Sequence, residues 1–292
     1  MIYLLIVSIV WAFSFGLIKD NLTGLDSNYV SFLRIFISFI VFVPFLKIKS
    51  IKIKFLIQLL ITGMVQFGVM YISYIYSFKF LPSYQVALFT IFTPIYITII
   101  NDLLRRRFSP KVFSIAILTC LATGIIVYKD FQTSNLILGF VLVQISNIAF
   151  AFGQIYYKKI MSEHTEYKDK NLFAIIYFGA LIITATASAI SVNYNNLSLQ
   201  FSQILSILYL GVIASGVCFF LWNYGARKTD TGTLAIFNNL KIPIAIIVSL
   251  IVFKESANLI NLIIGLLIIL FALFYNHRML EGKNNQPIKN QL

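Results

Sequence analysis

The sequence predicts an all-α integral membrane protein with ten transmembrane helices, folded as two inverted five-helix repeats. Three observations carry this prediction. Of 292 residues, 59% are hydrophobic and 11% charged, and the mean hydropathy is +0.88. A soluble domain of this length needs far more polar surface, so the apolar excess must face lipid. The apolar residues gather in ten runs, each near the roughly 20 residues that a bilayer core requires. The last five runs also repeat features of the first five at a nearly constant offset.

Span one, residues 2–19, has no basic leading region and no small-residue cleavage site, and Lys19 and Asp20 follow it directly. It therefore reads as a membrane helix rather than a signal peptide. Spans two to five cover 29–46, 55–77, 83–104 and 112–128. A short linker, KDFQTS (129–134), precedes spans six to ten at 135–157, 171–191, 203–224, 232–253 and 259–275. The corresponding units are 1–130 and 135–278, with 279–292 expected to be a disordered cytoplasmic tail.

Charge sets the orientation. With the N-terminus inside, the inner connections hold Lys47, Lys49, Lys52, Lys54, Arg105, Arg106, Arg107, Lys111, Lys158, Lys159, Lys168, Lys170, Arg227, Lys228, Arg278, Lys283 and Lys289. The outer connections hold only Lys19, Lys79, Lys129 and Lys254. The positive-inside rule then places both termini in the cytoplasm. The net charge of +13 is thus a topological signal that also suits anionic lipid headgroups, not a nucleic-acid footprint.

The repeat is visible in short stretches. AFSFG at 12–16 returns as AFAFG at 149–153. Gly63, Gly68, Tyr76 and Lys79 precede Gly211, Gly216, Tyr224 and Arg227 by a constant 148 residues. Ala87 and Ala235 keep that offset, and Pro94 and Pro243 miss it by one. Five spans per half is an odd number, so the halves cross the membrane in opposite senses. The inner RRRFSPK after span four corresponds to the outer KESAN after span nine, as inversion demands. Inverted repeats characterise secondary transporters, whose substrate site lies near the midplane where the repeats meet.

These stretches resemble the drug/metabolite transporter superfamily, specifically proteins with two EamA domains. The matching pieces are WAFSFGLIK (11–19), YVSFLRIFIS (29–38), YSFKFLPSYQVALFTIFTP (76–94) and RRRFSP (105–110). In the second half they are LYLGVIASGVCFFLWNYGARK (208–228), FNNLKIP (237–243) and FKES (253–256). The resemblance covers about residues 1–275. It departs at Arg105-Arg106, where the family often has Gly-Glu, whereas the second half keeps Glu255. It implies a carrier of some small metabolite, with amino acids, amines, carboxylates and nucleosides all within the family's range.

Few polar groups lie at depth, where an ionisable side chain is costly and usually faces a cavity. Lys241 sits about nine residues into span nine, roughly 14 Å from its inner end, close to the midplane of a core roughly 30 Å thick. A lysine there costs on the order of 3 kcal/mol to insert. One reading is internal: Pro243 frees the carbonyl of Asn239 to take the ammonium, with Asn238 on the same face. The other is that an anionic substrate supplies the missing charge, which would also link binding to protonation and bring in a proton as a second partner. Arg34 lies only about five residues into span two, so it either snorkels to the outer interface or gates the vestibule; the resembling family often carries Arg here.

With Lys241, the expected substrate-binding residues are Asn238, Asn239, Gln66, Asn147 and Asn223, joined by Trp11, Tyr71 and Tyr74 as walls for a flat ligand. Trp222 and Tyr76, near span ends, are expected in headgroup belts. The glycines, Gly16 and Gly153 among them, are expected to allow close helix packing. Pro94 and Pro243 are expected bending points. Cys120 and Cys218 sit in apolar runs and read as buried small hydrophobes, and His164 and His277 form no ligand cluster. No catalytic motif, metal site or cofactor motif is present, so an enzyme is not expected.

The reading is thus a secondary active transporter of a small polar metabolite, such as an amino acid or carboxylate. It is taken to be an exporter in a bacterial inner membrane that functions as a monomer by alternating access. Alternatives are a proton-coupled carrier of cationic drugs, amines or nucleosides, and a passive channel or scramblase. Against the cationic drug, the only acid within a span is the peripheral Asp102.

Overall fold

The computed structural model describes residues 1–22, 24–49, 51–81, 86, 89–127, 136–194, 198–252 and 259–284. Ala87, the linker at 129–134, Lys254, Glu255 and residues 285–292 lie outside the described residues, as do the side chains of Gly16, Lys19 and His277.

The chain is an all-α membrane protein, and no strand occurs among the described residues. Ten helices follow one another among the described residues: α1 (Ile2–Leu22), α2 (Ser27–Phe45), α3 (Ile53–Ser77), α4 (Thr93–Arg105), α5 (Pro110–Val127), α6 (Leu136–Glu163), α7 (Asp169–Ser191), α8 (Phe201–Lys228), α9 (Thr231–Val252) and α10 (Leu259–Asn284). Five of them, α2, α3, α6, α7 and α8, are long and apolar enough within the described residues to cross a bilayer unaided. The helices overrun the apolar spans at α6, α8 and α10, because hydropathy marks the lipid slab whereas helix hydrogen bonding continues into the polar Lys- and Glu-bearing turns. Residues 279–284 accordingly extend α10, and only 285–292 of the expected tail lie beyond it.

Local chemistry sets several ends. Asp26 caps α2 by accepting from the amides of Asn28 (2.8 Å) and Tyr29 (3.3 Å). Gln200 opens α8 with a capping box completed by Gln203. At the end of α4, Arg106 takes φ 50° in the left-handed region, and Asp102 braces the turn by accepting from the Ser109 amide at 2.8 Å.

The repeat is written into the packing. Equivalent helices pair as α2–α7, α4–α9 and α5–α10, and other contacts come in exchanged sets. Thus α1 packs on α9 as α6 packs on α4, and α2 meets a π turn in α8 as α7 meets a π turn in α3. Those π turns, Met64–Val69 and Leu210–Val217, occupy equivalent places in the two repeats. Each contains or adjoins the glycine pair that keeps the 148-residue offset. Glycine is required where α3 crosses α7: a Cβ on Gly63 would lie 1.8 Å from the Ile176 carbonyl oxygen, a backbone atom that cannot swing aside.

Polarity is distributed as a bilayer requires. Large apolar side chains such as Ile57, Leu103, Ile137, Ile190 and Leu267 face outward, while Gln66, Gln154, Asn223, Asn238 and Asn239 are fully buried. With odd-numbered helices running one way, both described ends of the chain lie on one side, called here the near face; the α1–α2 connection lies at the far face.

Candidate substrate cavity

A cavity with about 680 Å³ of empty space, counted out to its mouth, lies between the midplane and the far face. Its walls come from α1, α2, α3, the approach to α4, α6, α8 and α9. Residues from both repeats line it, including Trp11, Arg34, Tyr71, Asn147, Phe219 and Lys241.

Of 23 Lys and Arg residues, 21 lie between or at the ends of the apolar runs of the sequence; the remaining two, Lys241 and Arg34, both line this cavity. Lys241 is 8% exposed. Its ammonium lies 5.7 Å from the ring centres of both Trp11 and Phe150, and no hydrogen bond or ion pair to it occurs among the described residues. The ammonium therefore does not take the Asn239 carbonyl. Asn238 turns the other way, donating to the Leu234 carbonyl (2.8 Å) and to Gln154 Oε1 (3.1 Å). Asn239 ties α9 to the opposite repeat through the carbonyls of Ile91 (3.1 Å) and Thr119 (3.3 Å).

Arg34 does not reach an interface. It is buried, its guanidinium lies 4.7 Å over the Tyr71 ring, and its Nε donates to Ser215 Oγ at 3.1 Å. The α8 π turn explains this position. A π turn displaces carbonyls from the α-helical ladder and leaves them for other donors. Ala214 O accepts from Trp11 Nε1 (2.8 Å), Ser215 O and Gly216 O from Tyr177 Oη (2.7 and 2.6 Å), and Gly211 O from Ser38 Oγ (2.8 Å). Ser215 Oγ also shares a 2.8 Å hydrogen bond with Tyr71 Oη. One turn thus holds Trp11, Tyr71 and Arg34 in place.

Trp11, Tyr71, Tyr74 and Asn147 line the cavity; Asn147 is itself tethered to the approach to α4 through the Phe89 carbonyl (2.8 Å). Gln66 and Asn223 lie below it and satisfy each other in a reciprocal amide pair at 2.7 and 2.9 Å. Gly153 makes that pair possible, since a Cβ there would sit 2.1 Å from Gln66 Cβ. Trp222 is not in a headgroup belt. It is fully buried, its ring lies 4.9 Å from that of Trp11 at a tilt of 31°, and it donates to Gln154 Oε1 at 2.9 Å. The reason is that α8 continues to Lys228, which puts Trp222 inside the bundle. Tyr76 is more than a third exposed, with the Lys79 ammonium 5.0 Å over its ring.

Toward the near face, polar contacts close the bundle. Tyr157 and Arg227 both donate to Asp169, at 2.6 and 2.7 Å. Lys158 donates to the Thr229 carbonyl, and Thr231 donates to Asn101 at 3.2 Å, joining α9 to α4. Pro94 stands in the first turn of α4, after the 3₁₀ turn Thr90–Phe92, whereas Pro243 is inside α9. Phe150, Phe219 and Ser215 escaped the sequence reading. Among 28 phenylalanines nothing marks two as cavity walls, and only the small-residue run around Gly216 hinted at Ser215.

A multi-pass all-α bundle of two inverted repeats, enclosing a part-cationic cavity at their interface, defines a membrane transporter of a small molecule. The chain belongs to the EamA-like transporter family, whose model matches residues 1–128 and 137–276. It is 35% identical to the biotin transporter of Salmonella typhimurium over 288 residues, 98% of this chain and 96% of that protein. The biotin transporter of Escherichia coli strain K12 is 34% identical over the same span and shares. The probable biotin transporter of Pseudomonas aeruginosa is 33% identical over 276 residues, 94% of this chain and 96% of that protein. A protein crystal structure matches with a TM-score of 0.75 over 93% of this chain and 94% of that one; at 12% identity, this is a likeness of fold alone.

Proposed function

We propose that this protein is a secondary active carrier of biotin that works by alternating access, with Lys241 taking the carboxylate. The observation that carries the reading is the Lys241 ammonium at the midplane, without a hydrogen bond or ion pair among the described residues, in a cavity whose described lining includes two cations and no acid. Full-length likeness to biotin transporters supports the choice of acid.

Biotin is a monocarboxylate with an apolar four-methylene chain and a fused bicyclic ring that bears a ureido group. A buried ammonium without a hydrogen bond gains most from a full negative charge, because charge-assisted hydrogen bonds are about twice as strong as neutral ones. Trp11, Phe150 and Phe219 offer apolar faces for the chain and ring. A cationic drug would meet two like charges, and a zwitterionic amino acid would bring an ammonium against them, so the cavity favours neither.

In this reading the far-side cavity is the loading site, and the reciprocal Gln66–Asn223 pair and the Thr231–Asn101 contact form the closed near gate. The moving bodies are the two units 1–130 and 135–278, acting within a single protomer, and the near face is cytoplasmic by its basic connections. Net direction follows from the driving gradient. A proton is the candidate co-ion, through the charge state of Lys241.

The test is uptake of labelled biotin into proteoliposomes containing purified protein, with and without a pH gradient. Saturable uptake and counterflow are expected, with loss in Lys241→Met. Full-rate biotin transport by Lys241→Met would overturn the assignment of that residue. Non-saturable flux without counterflow would favour a channel.

A further inference from the structure

The cavity holds its second cation, Arg34, at a separate station. Lys241 lies against Trp11 and Phe150, whereas Arg34 lies against Tyr71. Phe219 stands between the two sets of rings, 5.3 Å from Trp11 and 5.7 Å from Tyr71. The levels differ as well: Arg34 is seven residues from the far end of α2, roughly 10 Å by helical rise, while Lys241 is at the midplane. A single carboxylate held at one station leaves the other to a different part of the ligand.

We infer that Arg34 is a specificity-determining residue that reads the uncharged, hydrogen-bond-accepting end of an elongated acid whose carboxylate lies on Lys241. For the substrate proposed above, on which this inference rests, that end is the ureido carbonyl.

The two cations are dressed differently, and this assigns the ends. The ammonium of Lys241 is a point charge with three rotating donors and no hydrogen-bond acceptor among the described residues, which suits a carboxylate in any rotation. Arg34 is immobilised: its face is on Tyr71, its Nε is on Ser215, and Ser215 is fixed by Tyr71. The guanidinium also bears on Tyr71 Oη, and what remains for a ligand is the rigid part of its terminal amino edge that Tyr71 leaves uncovered. A planar edge of fixed orientation recognises the direction of an acceptor as well as its charge. A site built to hydrogen-bond a polar substrate group rejects analogues lacking it, because its own buried donors are then left unpaired. Such a residue excludes carboxylates that merely share the chain and charge.

The experiment is competition against labelled biotin bound to purified protein in nanodiscs, using three unlabelled competitors. These are biotin, biotin amide, which lacks the carboxylate charge, and lipoate, which keeps a pentanoate chain on a sulfur ring but has no ureido group. In Arg34→Gln, biotin affinity should fall by about 10- to 100-fold, the range for a lost hydrogen bond to a charged group. Lipoate should stay within about threefold, on the same basis that an interaction never made is not lost, so biotin-over-lipoate selectivity collapses. Arg34→Lys, which keeps the charge and lacks the planar edge, should show the same collapse in a protein that folds normally. In Lys241→Gln, biotin and lipoate should weaken together and biotin amide should not. Equal weakening of biotin and lipoate in both Arg34 variants, or no change in either, overturns the inference and leaves biotin transport standing. Wild-type protein that holds no biotin overturns the functional reading and this inference with it.

Discussion

The far and near halves of the bundle use polar residues in opposite ways. The far half surrounds a cavity in which an ammonium has no hydrogen-bond partner among the described residues and a guanidinium keeps part of its edge available. The near half pairs its polar groups closely: Gln66 with Asn223, Gln154 with Trp222 and Asn238, and Asp169 with Tyr157 and Arg227. Both halves are built from the same repeat, inverted. The difference therefore lies in particular side chains rather than in the backbone. Lys241 has no charged counterpart in the first repeat, where IFTP (91–94) stands, and the position 148 residues after Gln66 is Ala214. On the proposed reading, the unsatisfied charge is where the ligand binds, and the reciprocally satisfied amides are the seal that transport breaks and reforms.

The strongest way to break the contrast is to remove the charge. Lys241→Met should leave the fold intact and reduce biotin transport at least tenfold, since a hydrogen bond to a charged group contributes about 1.5–3 kcal/mol; initial uptake rates in proteoliposomes check this.

Next in size is the α3–α7 crossing that supports both halves. Gly63→Ala should destabilise the protein by about 1–3 kcal/mol, the usual cost of overpacking, because the Ile176 carbonyl cannot withdraw. Thermal unfolding in detergent reads the loss.

The seal is tested by Asn223→Leu, which strands the Gln66 amide and should cost about 1–3 kcal/mol. It should also shift the population toward a near-open form, seen as faster labelling of a cysteine placed below the pair. Gln66→Leu combined with Asn223→Leu should recover part of the stability, since no amide is then left unpaired.

A smaller effect is expected at Asp230, which precedes α9. Burial pushes its carboxyl up, but hydrogen bonds from Thr233 and Asn276 outweigh this and hold it below the usual carboxylate range. A depressed carboxyl contributes stability above its unfolded pKa, and that contribution is lost as the pH falls through the folded value. Asp230→Ala should therefore cost about 1 kcal/mol, a typical cap contribution, at neutral pH and less in acid, as followed by unfolding across pH.

The smallest change is expected at Pro94→Ala. Proline in a first helical turn displaces no hydrogen bond, whereas Pro243 lies within α9 and removes one. Pro243→Ala should therefore slow transport more than Pro94→Ala does.

Much of this was legible in one sequence, and the reasons are physical. A bilayer imposes span length and excludes charge, so hydropathy and the placement of Lys and Arg expose ten spans and isolate Lys241 and Arg34. A repeated fold requires glycine at equivalent close approaches, and Gly63 and Gly211 mark the repeat in the sequence itself. Side-chain direction was not legible, because it depends on which helix lies opposite. Trp222 looked like a belt residue until α8 proved to continue past it, and Gln66 and Asn223, expected in the cavity, are 157 residues apart yet bonded to each other. Hydropathy cannot mark a π turn either, so the carbonyls that orient Trp11 and Tyr177, and the Ser215 hydroxyl that holds Arg34, were hidden.

By itself, then, the sequence determined the membrane class, the inverted repeat and the two buried cations, because transfer energies and charge rules act residue by residue. Only the tertiary structure decided that both cations face one cavity on separate aromatic rings, and that neighbouring amides close the near side. Those outcomes depend on the packing of helices far apart in the chain.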